Sequence, residues 1–126
     1  MTTNASPLRV RDATLADAET IAEFNLLLAH ESENKHLDPR VLAKGVRLAL
    51  ERPQLCRYFL AETNERVVGQ TMLTYEWSDW RAGVFWWIQS VYVVPDCRGQ
   101  GVFRALFRHI ETLAKESIFC RRRVKL

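Results

Sequence analysis

Residues Val91 to Glu116, "VYVVPDCRGQGVFRALFRHIETLAKE", pass in one stretch from β-branched residues through Pro95 and a short glycine loop to a run with helical spacing. Phe103, Leu106, Phe107, Ile110, Leu113 and Ala114 recur every three or four residues, with Arg104, Arg108, Glu111, Lys115 and Glu116 on the other side. That pattern predicts an amphipathic helix starting near Gln100 or Gly101. Its first N–H groups have no partner within the helix, and the aligned peptide dipoles place about half a positive charge there. Gly99 and Gly101 let backbone approach a ligand closely, and Arg98 adds a cation at the mouth. A strand, loop and helix of this composition can hold a phosphate or pyrophosphate.

Two other phosphate loops are excluded by spacing. A dinucleotide fingerprint requires glycine where Arg104 stands and an acidic residue on a following strand, and the Walker pattern is absent. NAD binding and ATP or GTP hydrolysis therefore find no support.

The rest of the chain sets the context of the loop. "LRVRDAT" alternates as a first strand does, and Thr14 with Asp17 resembles a capping box opening a helix from about Leu15 to Ala29. Asp38 before Pro39 is an N-cap with proline at the first helical position, starting a second helix that runs towards Pro53. "RYFLAET" and "RVVGQTMLTYEW", joined at Asn64 and Glu65, predict an antiparallel pair. "VFWWIQSVYVV" follows, and both of its alternating sets are largely apolar, which predicts a strand covered on both faces.

The stretch from Arg98 resembles the acyl-CoA signature of the GNAT acetyltransferase superfamily, [RQ]-x-x-G-x-[GA], on Arg98, Gly101 and, with a departure, Phe103. The order of elements over about residues 8 to 116 is similar too. The resemblance implies an α/β fold with a mixed, mainly antiparallel sheet flanked by helices. It implies acetyl-CoA as co-substrate and transfer of acetyl to a primary amine by direct attack. It assigns the pantetheine arm to the backbone of Tyr92, Val93 and Val94, and the pyrophosphate to Arg98, Gly99, Gln100, Gly101, Val102, Phe103 and Arg104. Phe103 stands where the family has a small residue, so its ring must turn inward or the loop must widen.

The family often places a carboxylate on the fourth strand, where this chain has only Gln89, which cannot accept a proton. Glu76, followed by Asp79, is the nearest acidic candidate for the general base. The family's late tyrosine, the general acid, has no counterpart after Glu116. The resemblance also implies that a last strand and helix are missing, since only Val124 to Leu126 read as the start of a strand. The expected organisation is one incomplete domain over 1–116 and a basic tail over 117–126. The fourth strand, Val84 to Val94, would then be an open edge suited to homodimerisation.

Charge and composition bound the alternatives. Arg121, Arg122, Arg123 and Lys125 exceed the net charge of +3, leaving residues 1–116 at −1, so nucleic acid is not the expected partner. A module that uses the basic tail on an acidic partner is one rival reading, and a CoA-binding remnant without turnover is the other. "VFWWI" is far short of the roughly 18 apolar residues of a membrane span, and "MTTNASPLRV" carries no export signal, so the expected location is cytoplasmic. Cys56, Cys97 and Cys120 lack metal-ligand spacing, and Cys97 reads as a passive loop thiol. His30 and His36, near Glu31 and Glu33, also lack it, so no metal is expected. Tyr75, Trp77, Trp80, Trp86 and Trp87 are abundant enough for some to line an amine pocket.

Overall fold

The computed structural model describes residues 7–117 and the backbone of 120–125. Five strands form one sheet in the order of the chain: β1 (Arg9–Asp12), β2 (Cys56–Thr63), β3 (Arg66–Ser78), β4 (Gly83–Val93) and β5 (Cys120–Lys125). The first four pair antiparallel, and β5 runs parallel to β4. The helices are α1 (Ala18–Glu33), α2 (Pro39–Leu50) and α3 (Val102–Glu116). This is the mixed, mainly antiparallel α/β sheet flanked by helices.

Local chemistry places each element. Thr14 and Asp17 form the capping box, with the Thr14 N–H donating to the Asp17 carboxylate at 2.7 Å. Asp38 accepts from the Arg40 N–H at 2.9 Å, and Pro39 opens α2. Asn64 and Glu65 have φ of 52° and 59°, the successive left-handed pair that a two-residue hairpin turn requires.

Side chains of β2 alternate between the two faces of the sheet. Tyr58 and Leu60 pack with Ile21 of α1 and Val46 of α2. Phe59 and Ala61 belong to the larger core with Leu106 and Ile110 of α3. The buried line of α3 is Val102, Leu106, Ile110 and Ala114, while Phe103, Phe107 and Leu113 are half-buried beside it.

The end of the chain corrects one expectation. Cys120–Lys125 is a strand, so the fifth strand read as absent is present, and the stretch read as a basic tail supplies it. Its pairs are Val84 with Cys120, Trp86 with Val124 and Trp87 with Lys125. The edge expected to be open is therefore covered from Val84 to Trp87. Three successive arginines hid the strand, but backbone pairing decides strand formation at an edge, and edge strands commonly carry charge. The parallel direction follows because α3 carries the chain back across the sheet. Among the described residues, strand pairing on this side of β4 stops at Trp87.

Candidate functional site

The unpaired part of β4 leads directly into the glycine loop. Val94 donates its N–H to the Val68 carbonyl at 2.9 Å, towards β3. By alternation the polar groups of Val93 face the opposite edge, and its carbonyl there accepts from Arg98 Nε at 2.8 Å. Of the three residues expected to bind the pantetheine arm, Val93 thus presents its backbone to the open edge, and the Val94 amide is committed to β3.

Pro95–Cys97 form one 3-10 turn, fastened by a bidentate pair of Arg66 with Asp96 at 2.9 and 3.0 Å. The Arg66 guanidinium holds the Asp96 carboxyl below its ordinary pKa. Gly99 and Gly101 have φ of 78° and 85°, so both occupy the left-handed region that favours glycine. Gly101 is the N-cap of α3 and no side chain caps the helix. The first backbone bond within α3 runs from the Ala105 N–H to the Gly101 carbonyl at 3.0 Å, so the N–H groups of Val102, Phe103 and Arg104 precede it. No acidic residue lies in this first turn. Val93, Arg98, Gly99, Gly101, Val102, Phe103 and Arg104 line a cleft of about 390 Å³, together with Cys97.

The half-buried Phe103 packs against the core, its ring 6.1 Å from that of Phe107, and still contributes to the lining of the cleft. Gly69 of β3 explains how close the helix comes. A Cβ there would lie 2.6 Å from Val102 Cγ1 and 3.3 Å from the Tyr92 carbonyl oxygen, so glycine lets the start of α3 settle onto the sheet.

A second groove, about 380 Å³, adjoins the first through Val93 and Arg98 and is lined by Leu28, Glu31, Ser32, Val91 and Tyr92. Glu31 at the end of α1 accepts from Arg98 Nη2 at 2.8 Å and from the Tyr92 hydroxyl at 3.2 Å. The Arg98 guanidinium also lies 5.4 Å from the centre of the Tyr92 ring. Arg98, then Tyr92, holds the Glu31 carboxyl below its ordinary pKa against the opposing effect of burial. Burial, then the bond to Glu31, raises the Tyr92 phenol. Tyr92 therefore stays protonated at neutral pH and donates.

The other candidates lie apart. Glu76 pairs with Phe85 and accepts from the Trp87 indole N–H at 2.6 Å. From Phe85 to Ser90 along β4 is roughly 17 Å at about 3.3 Å per residue, so Glu76 is not gathered with the loop residues. His30 and His36 stack at 5.2 Å. Among the described residues there is no group of three or more possible metal ligands. Trp86 is core, whereas Trp77 and Trp80 stand exposed on the β3–β4 hairpin, Trp80 at 95%. Cys97 is a half-buried free thiol. The Cys120 side chain lies outside the described residues. No described helix is long and apolar enough to cross a membrane.

Sequence reasoning missed three residues here. Glu31 was grouped with the histidines because its partner Arg98 is distant in sequence. Gly69 showed only as a glycine within a strand, the usual mark of a close approach. Gln70 is a fully buried amide, next to the equally buried Thr71.

A mixed sheet whose fourth strand opens beside a bare helix N-terminus defines a protein that can hold an extended ligand ending in phosphate. Residues 19–126 match the family model described as the acetyltransferase (GNAT) family, and the chain belongs to that family. No curated protein matches the chain. A structure described as a possible acetyltransferase from Clostridium difficile 630 is 42% identical, with a TM-score of 0.88 over 94% of this chain and 78% of that one. Two others share the fold at lower identity. A predicted acetyltransferase with acetyl-CoA from Clostridium acetobutylicum is 17% identical, with a TM-score of 0.76 over 95% of this chain and 80% of that one. A ribosomal-protein-alanine N-acetyltransferase from Brucella melitensis biovar Abortus 2308 is 18% identical, with a TM-score of 0.72 over 95% and 78%.

Proposed function

We propose that this chain is an acetyl-CoA-dependent N-acetyltransferase acting on a primary amine. The observation that carries the reading is the continuity of the open β4 edge at Val93 with the uncapped N-terminus of α3. An extended amide-bearing arm can pair with the strand while its pyrophosphate meets the N–H groups of Val102, Phe103 and Arg104. Arg98 and Arg104 add charge at the same end. The family membership and the fold shared with a neighbour holding acetyl-CoA support the same ligand.

The chemistry asks little covalent work of the protein. The amine nitrogen attacks the thioester carbon, the C–S bond breaks, the nitrogen gives up a proton and the thiolate takes one. The chain holds the two reactants in line and polarises the carbonyl with a strand N–H. Glu76 is the proposed proton acceptor, reached through water. A second reading, acetyl-CoA binding without turnover, is favoured by the separation of Glu76 from the loop. Titration with acetyl-CoA and, separately, with an RNA or DNA oligonucleotide distinguishes the acetyl-CoA readings from a basic-tail binding module. Thiol release over small amines, polyamines and peptide N-termini then separates enzyme from binder. A chain that binds no acetyl-CoA is neither.

A further inference from the structure

Between the pairs Gln70–Tyr92 and Met72–Gln89, β4 carries one residue more than β3, so Thr71 faces both Ser90 and Val91. Ser90 takes φ of 54°, which costs a residue with a side chain. A bulge of this kind interrupts the ladder and leaves backbone groups to be satisfied in another way. Here two β3 side chains do so. Thr71 Oγ1 donates to the Gln89 carbonyl at 2.9 Å, and Gln70 Nε2 donates to the Ser90 carbonyl at 3.0 Å.

Both side chains are 0% exposed. Gln70 Oε1, moreover, is buried with no hydrogen-bond partner among the described residues. An unpaired buried acceptor bears its full desolvation cost, which a methionine of similar length would avoid. Stability of the core alone gives no reason for an amide at this position. Its Nε2, on the Ser90 carbonyl, does.

We propose that Gln70 and Thr71 are positioning residues that clamp the β4 bulge and so aim the Val91 N–H into the open edge. Val91 lines the groove beside Glu31 and Tyr92. It precedes Val93 by two positions, and by alternation its polar groups face the same edge as the Val93 carbonyl. The role of that N–H as the donor to the thioester oxygen rests on the acetyl-transfer reading; the clamp itself does not.

The test uses Gln70→Met and Thr71→Val, with Thr71→Ser as the variant that keeps a hydroxyl. Three quantities are compared with the parent: acetyl-CoA affinity by titration, thiol release to the parent's best amine or to water, and amide exchange without ligand at Tyr92, whose N–H faces β3 as that of Val94 does. The expected result is a kcat about 10- to 100-fold lower in the first two variants, as for a misaligned donor. KM for acetyl-CoA stays within about twofold, as for an interaction made only in the transition state. Exchange at Tyr92 becomes faster, while Thr71→Ser stays near the parent in every measurement. Parental kcat and parental exchange in both Gln70→Met and Thr71→Val would overturn the proposal. If the parent binds no acetyl-CoA, the acetyl-transfer reading fails by itself, and exchange still decides the clamp: an unchanged rate at Tyr92 in both variants overturns it.

Discussion

Arg98 Nε lies 2.8 Å from the carbonyl oxygen of Val93, the acceptor on β4 that faces the open edge. The same guanidinium is held from the other side by Glu31 at 2.8 Å. A pantetheine amide that pairs with Val93 must therefore displace Arg98, and the displaced cation is then free to turn to the pyrophosphate.

Glu31→Gln removes the charge that anchors Arg98. Acetyl-CoA affinity is expected to rise about two- to fivefold at pH 7, the scale of an exposed ion pair, with the gain shrinking in high salt. Because the Glu31 pKa is lowered, the contact is complete above the ordinary carboxylate range and is lost as pH falls through that lowered value. Parent and variant should thus converge in acid. Titration at several pH values checks this, and equal affinities at pH 7 would refute it.

Gly101→Asp places a negative charge at the N-terminus of α3, on a residue with φ of 85°. Acetyl-CoA affinity should fall at least about tenfold. Gly101→Asn separates charge from strain, since asparagine tolerates this backbone region. It should lose markedly less. Equal losses in the two variants would assign the effect to backbone strain.

Glu76→Gln tests the proton acceptor. Turnover should fall by roughly tenfold or more at neutral pH with acetyl-CoA affinity nearly unchanged. The deficit should shrink as pH rises and the amine deprotonates itself. A pH–rate profile identical to the parent's removes Glu76 from the mechanism.

Gly69→Ala places a Cβ 2.6 Å from Val102 Cγ1, so the start of α3 must move or the strand must yield. A loss of about 1–3 kcal/mol is expected by urea unfolding, as for an overpacked core. Acetyl-CoA affinity should fall with it, because the displaced turn carries the N–H groups of the cleft. An unchanged affinity would show that the loop does not depend on this contact.

Asp17 is nearly buried and accepts from Arg11 at 2.9 and 3.0 Å as well as from the Thr14 N–H. Chiefly through Arg11, its pKa is lowered. Its contribution is present above the unfolded carboxylate pKa and is lost as pH falls through the lowered folded value. Asp17→Asn should cost about 1–2 kcal/mol at neutral pH and make stability less dependent on pH below about 4. Thermal melts over an acid series measure both.

The parts of the fold written in local patterns were legible from the residues. The Thr14–Asp17 box, the Asp38–Pro39 start of α2, the Asn64–Glu65 turn and the apolar stripe of α3 each depend on neighbours within a few positions. The loop was legible for the same reason, since Arg98 to Arg104 are contiguous. Glu31 was not, because it meets Arg98 only after α1 has packed beside β4. Neither was β5, whose composition is that of a solvated end. Gln70 and Thr71 were hidden in a strand that reads as ordinary, since their partners are carbonyl groups, which a sequence does not distinguish.

The bulge at Ser90 also divides β4 into two segments of opposite phase. Ile88 stands opposite Leu73, whereas Tyr92 stands opposite Gln70 and stacks near Phe24 of α1. Deleting one residue there would be a different event from substituting it. A β4 shortened by Ser90 would set Val91 alone opposite Thr71 and keep Tyr92 opposite Gln70, so the ladder would become regular and the bulge itself would be lost. Among descendants of this sequence, a residue kept at position 90 must accept φ of 54°, whereas its loss would erase the bulge and leave the register on either side as it is.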